Sequence, residues 1–196
     1  YKGEAGRLGS LNAVTEKKYY PSCILVNRYG KRFANEKADY DSSWRSFHAK
    51  ENWGALKYKN IPAFQIYDHK VRKNGTLGGK TSNQPLPKWF AKSSSIEGLA
   101  KKLGIDQANL KLTISNFNKS AAQGIDPDFH RGETHYDRMG LDNTSLALQP
   151  LDLPPFYGAE IAPAHLGTCG GPRVNKFSEV LDVNEIPIKR LCASGN

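Results

Sequence analysis

The sequence predicts one α+β domain, and three observations carry that expectation. Short apolar runs of strand length, bounded by proline, glycine and asparagine, lie toward both ends of the chain. Between them, around residues 94–124, the apolar spacing changes to the helical one. No repeat and no linker interrupts the 196 residues, a length that suits one ordinary core. With 38% hydrophobic residues, 3 Trp, 9 Tyr and 8 Phe, the chain carries enough apolar surface to offset its conformational entropy and fold.

In chain order, residues 1–20 are polar and glycine-containing, an entry segment of weak structure. Residues 22–27 are rich in branched side chains and sit between Pro21 and Tyr29-Gly30, which predicts a strand and a turn. Residues 40–53 are polar and aromatic and partly helical. Residues 63–67 alternate, with Phe64 and Ile66 apolar after Pro62, as a half-buried strand would. Residues 71–90 hold Asn74-Gly75, Gly78-Gly79 and two prolines and are read as loop.

Ser94, Ser95, Ile96 and Glu97 fit a capping box in which the Ser94 oxygen accepts the Glu97 amide. Ile96, Leu99, Ala100 and Leu103 then fall on one helical face, and Gly104 stops the helix. Asp106 caps a second helix with Leu110, Thr113, Ile114, Phe117 and Ala121 on one face, ending near Gly124. A polar loop at 125–132, a strand within 154–163 ended by proline, a glycine turn at 168–172 and short strands at 179–182 and 191–193 complete the chain.

Composition excludes several classes of function. The balance of 28 Lys and Arg against 19 Asp and Glu gives a formal charge of +9, yet the cations are scattered and no nucleic-acid signature accompanies them, so a solvated basic surface is expected and no nucleic-acid partner. No run approaches the roughly 20 apolar residues that cross a bilayer, and no signal peptide opens the chain, so a cytoplasmic protein is expected. Cys23, Cys169 and Cys192 are odd in number and lack metal-ligand spacing, which predicts buried thiols in a reducing compartment and no metal. Tyr1 stands first and Met139 is the only methionine, so the chain is expected to be a piece of a longer protein.

Six segments in order resemble the FAD-dependent flavoproteins of the fumarate reductase and 3-ketosteroid Δ1-dehydrogenase type. They are Ile24-Leu-Val-Asn-Arg-Tyr-Gly-Lys-Arg-Phe-Ala-Asn-Glu36, the helix pair at 94–123, the loop at 124–133, the Pro-Phe-Tyr strand, Gly167-Thr-Cys-Gly-Gly171, and the stretch at 187–196. The resemblance implies the family's capping domain, a small mixed sheet with a helical hairpin: residues 1–165 as the substrate lid and 166–196 as a segment returning to the flavin domain. It also implies that the partner of this piece is that FAD-binding domain of the same protein. The G-x-G-x-x-G turn that would hold the FAD pyrophosphate is not in this sequence, so FAD is expected in the full-length protein and not to be retained by this piece alone.

The family's branches differ at two places. Where fumarate reductases place a proton-delivering arginine shortly after the Arg-Phe-x-Asn-Glu motif, this chain has Tyr40; where they place a histidine pair before the Thr-x-Gly-Gly turn, it has Leu166-Gly167. The charge-assisted contacts that would hold a dicarboxylate are therefore gone. A tyrosine near this position is what the ketosteroid dehydrogenase branch uses as acid/base, so the resemblance makes Tyr40 the catalytic candidate; a buried or interface tyrosine is the alternative. Thr168, Gly170 and Gly171, with Ser194, Gly195 and Asn196, are the implied flavin neighbours, glycine letting backbone approach a flat ring.

Asn35, Glu36, Trp44 and His165 are the substrate-side candidates. Asn35 and Glu36 serve equally well as turn-fixing residues, and His165 as an ordinary loop histidine. Trp44, Phe47 and Trp53 either wall a cyclic substrate or pack in the core. Gly171-Pro172 and Lys189-Arg190 depart from the family pattern. The implied activity is dehydrogenation or reduction of a C–C bond beside a carbonyl, on a carbonyl or steroid-like substrate. A fumarate-reductase-like reductase and a non-catalytic binding or oligomerisation module are the alternatives.

Overall fold

A computed structural model describes residues 21–52, 54, 56–139, 147–163 and 170–195, with Tyr40 described by its backbone only. The chain divides into two compact units, Tyr1–Pro163 and Ala164–Asn196.

The first unit is built on strands β1 (Cys23–Asn27), β2 (Ala63–Tyr67), β3 (Ala91–Ser93) and β4 (Phe156–Ile161), in the order β1-β2-β4-β3. Every neighbouring pair is antiparallel, with Val26 opposite Phe64, Ile66 opposite Gly158 and Gly158 opposite Ala91. The expected mixed sheet is therefore antiparallel. Four helices accompany it: α1 (Tyr40–Phe47), α2 (His69–Asn74), α3 (Ile96–Leu103) and α4 (Gln107–Ala121).

Both faces of the sheet are covered. Ile24, Val26, Phe64 and Ile66 pack against Leu99 and Ala100 of α3 and Leu110, Ile114, Phe117 and Ala121 of α4. On the other face Leu25 and Ala63 meet Phe47 of α1, while Cys23, Tyr67 and Tyr157 meet Val71 of α2 and Leu77. Hence all five residues of β2 are buried, and the expected apolar–polar alternation misled: Gln65 is buried as well, because α1 and α2 cover the side that alternation assigned to water.

Several local expectations needed correction. The capping frame is one residue later than the Ser94 box: Ser95 is the N-cap and accepts from the Gly98 N–H at 3.1 Å, while Glu97 reaches Lys111. The stretch read as loop from residue 71 begins inside α2, which Asp68 caps by accepting from Lys70. β3 was not foreseen, since Ala-Lys-Ser carries no strand-forming side chain. By contrast, Gly104 ends α3 in the left-handed region and Asp106 caps α4 through the Asn109 N–H at 2.8 Å, as the sequence predicts.

Three arginines depart from the expected solvated basic surface. Arg131 and Arg72 are buried, and the Arg32 side chain is almost fully so. The cysteines divide: Cys23 is buried, and burial holds its thiol above the ordinary range, whereas Cys192 is exposed. Cys169 lies outside the described residues.

The second unit contains β5 (Glu179–Leu181) and β6 (Pro187–Cys192), an antiparallel pair joined through a turn in which the Asp182 carboxylate accepts from Asn184 and Ile186. β6 starts four residues before the expected 191, and every residue in it is exposed. No described helix is long and apolar enough to cross a membrane.

Candidate active-site turn and its buried ionic anchor

The turn after β1 is organised by side chains. Asn27 accepts from the N–H groups of Tyr29 and Lys31 and donates to Asn60. Gly30 then takes φ +70°, and a Cβ there would lie 2.6 Å from the Leu110 backbone nitrogen, so the turn seats directly on the first turn of α4.

From there the chain delivers Arg32 and Glu36 into the interior. The Arg32 guanidinium is gripped from two sides. Glu36 accepts from its Nε and Nη2 at 2.9 and 2.8 Å, and Asp126 accepts from Nη1 and Nη2 at 2.8 and 2.7 Å. Arg131, with no exposed surface, donates to Glu36 at 3.2 Å and to the carbonyls of Ala147, Cys23 and Pro21. Glu36 also accepts from the Leu25 N–H at 3.0 Å. The buried groups are two cations and two anions, the exposed Asp128 carboxylate lies 3.9 Å from Arg32 Nη1, and the Phe117 and Phe129 rings lie 4.9 and 5.0 Å from the Arg32 guanidinium.

The electrostatics follow from this arrangement. Burial alone would push the Glu36 carboxyl up, but the charge and hydrogen bonds of Arg32, the charge of Arg131 and the Leu25 N–H outweigh it and bring the carboxyl down to about 2. For Arg32, burial works against the charge and is overcome by Glu36 and Asp126, which hold it above its ordinary value. Glu36 is thus a permanent carboxylate engaged on both oxygens, an anchor for the turn.

Asn35 and Asp39 complete the delivery of position 40. The Asn35 amide donates to Asp137 at 3.0 Å and its oxygen accepts from the Lys37 N–H at 2.8 Å; Asp137 in turn accepts from the Gly132 N–H. Asp39 caps α1 by accepting from the N–H groups of Asp41 and Ser42, both at 3.0 Å, and the bonds from Ser42 lower its carboxyl. Tyr40 is the first residue of α1. The hydrogen bonds found for Asn35 and Glu36 are those of turn-fixing residues.

Of the remaining candidates, Trp44 sits on α1, 42% exposed, its ring 4.1 Å from that of His48, which meets Tyr58 edge-on at 5.1 Å. Phe47 belongs to the core, its ring 5.3 Å from Phe33. Trp53, His165, Thr168 and Asn196 lie outside the described residues. Gly170, Gly171, Ser194 and Gly195 belong to the second unit, where Gly170 and Gly195 have φ +144° and +128° and open space surrounds all three glycines on the side a Cβ would take. The structure therefore gathers Asn35, Glu36, position 40 and Trp44 in one turn and helix. Sequence reasoning missed Asp126, Arg131 and Asp137. Their loop was legible, but no spacing tells that its charges pair with residues more than ninety positions away. Among the described residues no group of three His, Cys, Asp or Glu could hold a metal ion.

Comparison with known proteins gives this geometry a context. The family described as FAD binding domain matches residues 6–196. A 4-oxocyclohexanecarboxylate 2-dehydrogenase of Sinomonas cyclohexanicum is 36% identical over 182 residues, covering 90% of this chain and 31% of that protein. A 3-oxosteroid 1-dehydrogenase of Mycolicibacterium smegmatis is 35% identical over 186 residues, covering 90% of the chain and 33% of the relative. The crystal structure of the 3-ketosteroid Δ1-dehydrogenase from Sterolibacterium denitrificans, in complex with 1,4-androstadiene-3,17-dione, superposes with a TM-score of 0.75 at 32% identity, over 90% of this chain and 33% of that one. The chain thus spans about a third of the length of the relatives it matches.

Proposed function

Because this chain belongs to the FAD-binding-domain family, we propose that it is the substrate-capping part of an FAD-dependent dehydrogenase that introduces a double bond beside a ketone, on an alicyclic or steroid-like carbonyl compound. The observation that carries this reading is Tyr40. Its backbone opens α1 immediately after a turn held by the Arg32–Glu36–Arg131–Asp126 cluster, at the position where the resemblance would put the arginine of a fumarate reductase. The activity, the substrate class and the flavin domain as partner are inferred for the whole protein, of which this chain would form the lid.

The described residues fit a flavin as a rim and not as a cradle. Gly170, Gly171 and Gly195 leave backbone open to a flat ring, while the sequence has no G-x-G-x-x-G turn of the kind that holds a pyrophosphate. When bound, the flavin supplies the acceptor for a hydride. On the protein side, the Tyr40 oxygen takes the proton from the carbon next to the one that loses the hydride, leaving the C=C bond conjugated to the ketone. Trp44 offers an apolar face to an alicyclic substrate. In this reading the ordered turn fixes the backbone from which Tyr40 would reach the reacting carbon, and closing of the lid excludes water. The exposed Val183, Ile186, Ile188 and Leu191 of the second unit support its role as a segment completed by another domain, since an isolated two-stranded hairpin is marginal in water.

The test is anaerobic bleaching of the yellow full-length protein by 4-oxocyclohexanecarboxylate and by a saturated-ring 3-ketosteroid. Bleaching by a ketone that falls at least about a hundredfold in rate in Tyr40→Phe, with flavin content unchanged, supports the assignment. Undiminished bleaching in the variant removes Tyr40 from the mechanism. Turnover of fumarate by the reduced protein, with no response to ketones, would replace the reading by a fumarate-reductase-like one.

A further inference from the structure

Away from the turn, a depression of about 500 Å³ opens on the first unit between α2, the residues 82–86 and the edge formed by β3 and β4. Its lining includes His69, Arg72, Lys73, Gln84, Lys92 and Tyr157, and no lining residue is a carboxylate. A volume of this size suits a small molecule.

Among the described residues, no carboxylate balances the positive charge of this cleft. Arg72 is only 5% exposed, and its guanidinium donates to the backbone carbonyls of Lys80, Ser82 and Gln84. Those bonds satisfy N–H groups and fix the far wall of the cleft to α2, but carbonyls carry no net charge to set against a buried cation. Among the described residues no carboxylate pairs with Arg72, and the acidic side chains beside α2, Asp68 and Asp152, are bound by Lys70 at 3.2 and 2.6 Å. Lys73 from α2 and Lys92 from β3 add two exposed ammonium groups from different elements.

The floor is polar and ordered. The Tyr157 hydroxyl lies 3.0 Å from His69 Nδ1, the two rings stack at 26°, and the Lys92 ammonium lies 5.9 Å from the Tyr157 ring centre. Burial pushes the Tyr157 phenol up against the opposing charge of Arg72, so at neutral pH it keeps its proton. We propose that this cleft binds the phosphate-type oxyanion of a small molecule, with Lys73 and Lys92 as the direct cationic contacts, Tyr157 at the floor and Arg72 supplying fixed positive potential from behind the wall. The site does not depend on the flavin chemistry proposed above.

Isothermal titration with pyrophosphate, inorganic phosphate and succinate, at low and high NaCl, tests it on the purified protein. Expected is one saturable site for pyrophosphate, weakened roughly tenfold by Lys73→Gln and again by Lys92→Gln, and unaffected by Lys176→Gln in the second unit. Circular dichroism checks that these variants of exposed lysines remain folded. Tighter binding of succinate than of pyrophosphate, with the same response to the two lysine variants, keeps an oxyanion site and overturns the phosphate assignment. Equal weak binding of all three anions, indifferent to Lys73 and Lys92, marks diffuse attraction to a basic surface and overturns the site, as does no binding at all.

Discussion

Replacing Glu36 by glutamine removes one of two anions from a cluster of two buried cations, leaving an unmatched positive charge where water cannot reach. Breaking a buried pair in this way costs about 3–5 kcal/mol. The pH dependence gives a second, independent figure. The Glu36 carboxyl falls from an ordinary value of 4.5 to about 2 in the folded protein, which corresponds to about 3 kcal/mol at about 1.4 kcal/mol per pH unit. A carboxyl lowered by folding contributes stability that is complete above its unfolded value and is lost as pH falls toward the folded one, so the relevant window runs from about pH 4.5 down to about pH 2.

The assay is urea denaturation followed by circular dichroism, at pH 7 and in steps between pH 5 and pH 2.5. Glu36→Gln is expected to be less stable by about 3–5 kcal/mol at pH 7, and the gap to the wild type should narrow as the medium is acidified. Should the single variant fail to fold, the pair Glu36→Gln with Arg131→Met should recover part of the loss, because it deletes the excess positive charge that the Glu36 carboxylate balanced. A gap below about 0.5 kcal/mol, or one that stays constant through the acid window, would refute the ionic-anchor reasoning, as would a double variant no more stable than the single one.

Two further predictions test how the local frame is set. Gly30→Ala should cost at least about 2 kcal/mol in the same denaturation assay, since its Cβ would meet backbone atoms of Leu110 and Asp106 at 2.6 and 2.9 Å from a left-handed conformation; a loss below about 0.5 kcal/mol would show that the turn does not seat on α4. Ser95→Ala should lower thermal stability by about 1 kcal/mol and Ser94→Ala by almost nothing, because Ser95 caps the Gly98 N–H; the reverse order would restore the Ser94 frame.

What the sequence made legible is what neighbouring residues decide among themselves. The strands at 23–27 and 63–67, the stop at Gly104 and the cap at Asp106 each rest on a few adjacent side chains, and each was found where expected. The capping frame slipped by one residue because two serines stand side by side and either fits the rule. α2 was hidden among turn residues although Asp68 announced it, and β3 gave no signal because its place is set by pairing with β4. In the candidate site the division is sharper. The motif ending at Glu36 locates Tyr40 by resemblance, but what immobilises that stretch is Asp126, Arg131 and Asp137, charged residues that composition assigns to the surface.

Long-range charge pairing leaves no periodic trace, since a buried arginine and a solvated one are spelled alike. It does leave an indirect one here: Phe117 on α4 and Phe129 within the charged loop turn out to lie against the guanidiniums that the loop helps to hold. Placement of position 40 at the start of α1 is therefore a property of the folded unit and not of the motif that flags it. A substitution in the 126–137 loop, far from Tyr40 in sequence, would disturb the same turn as one within the motif itself.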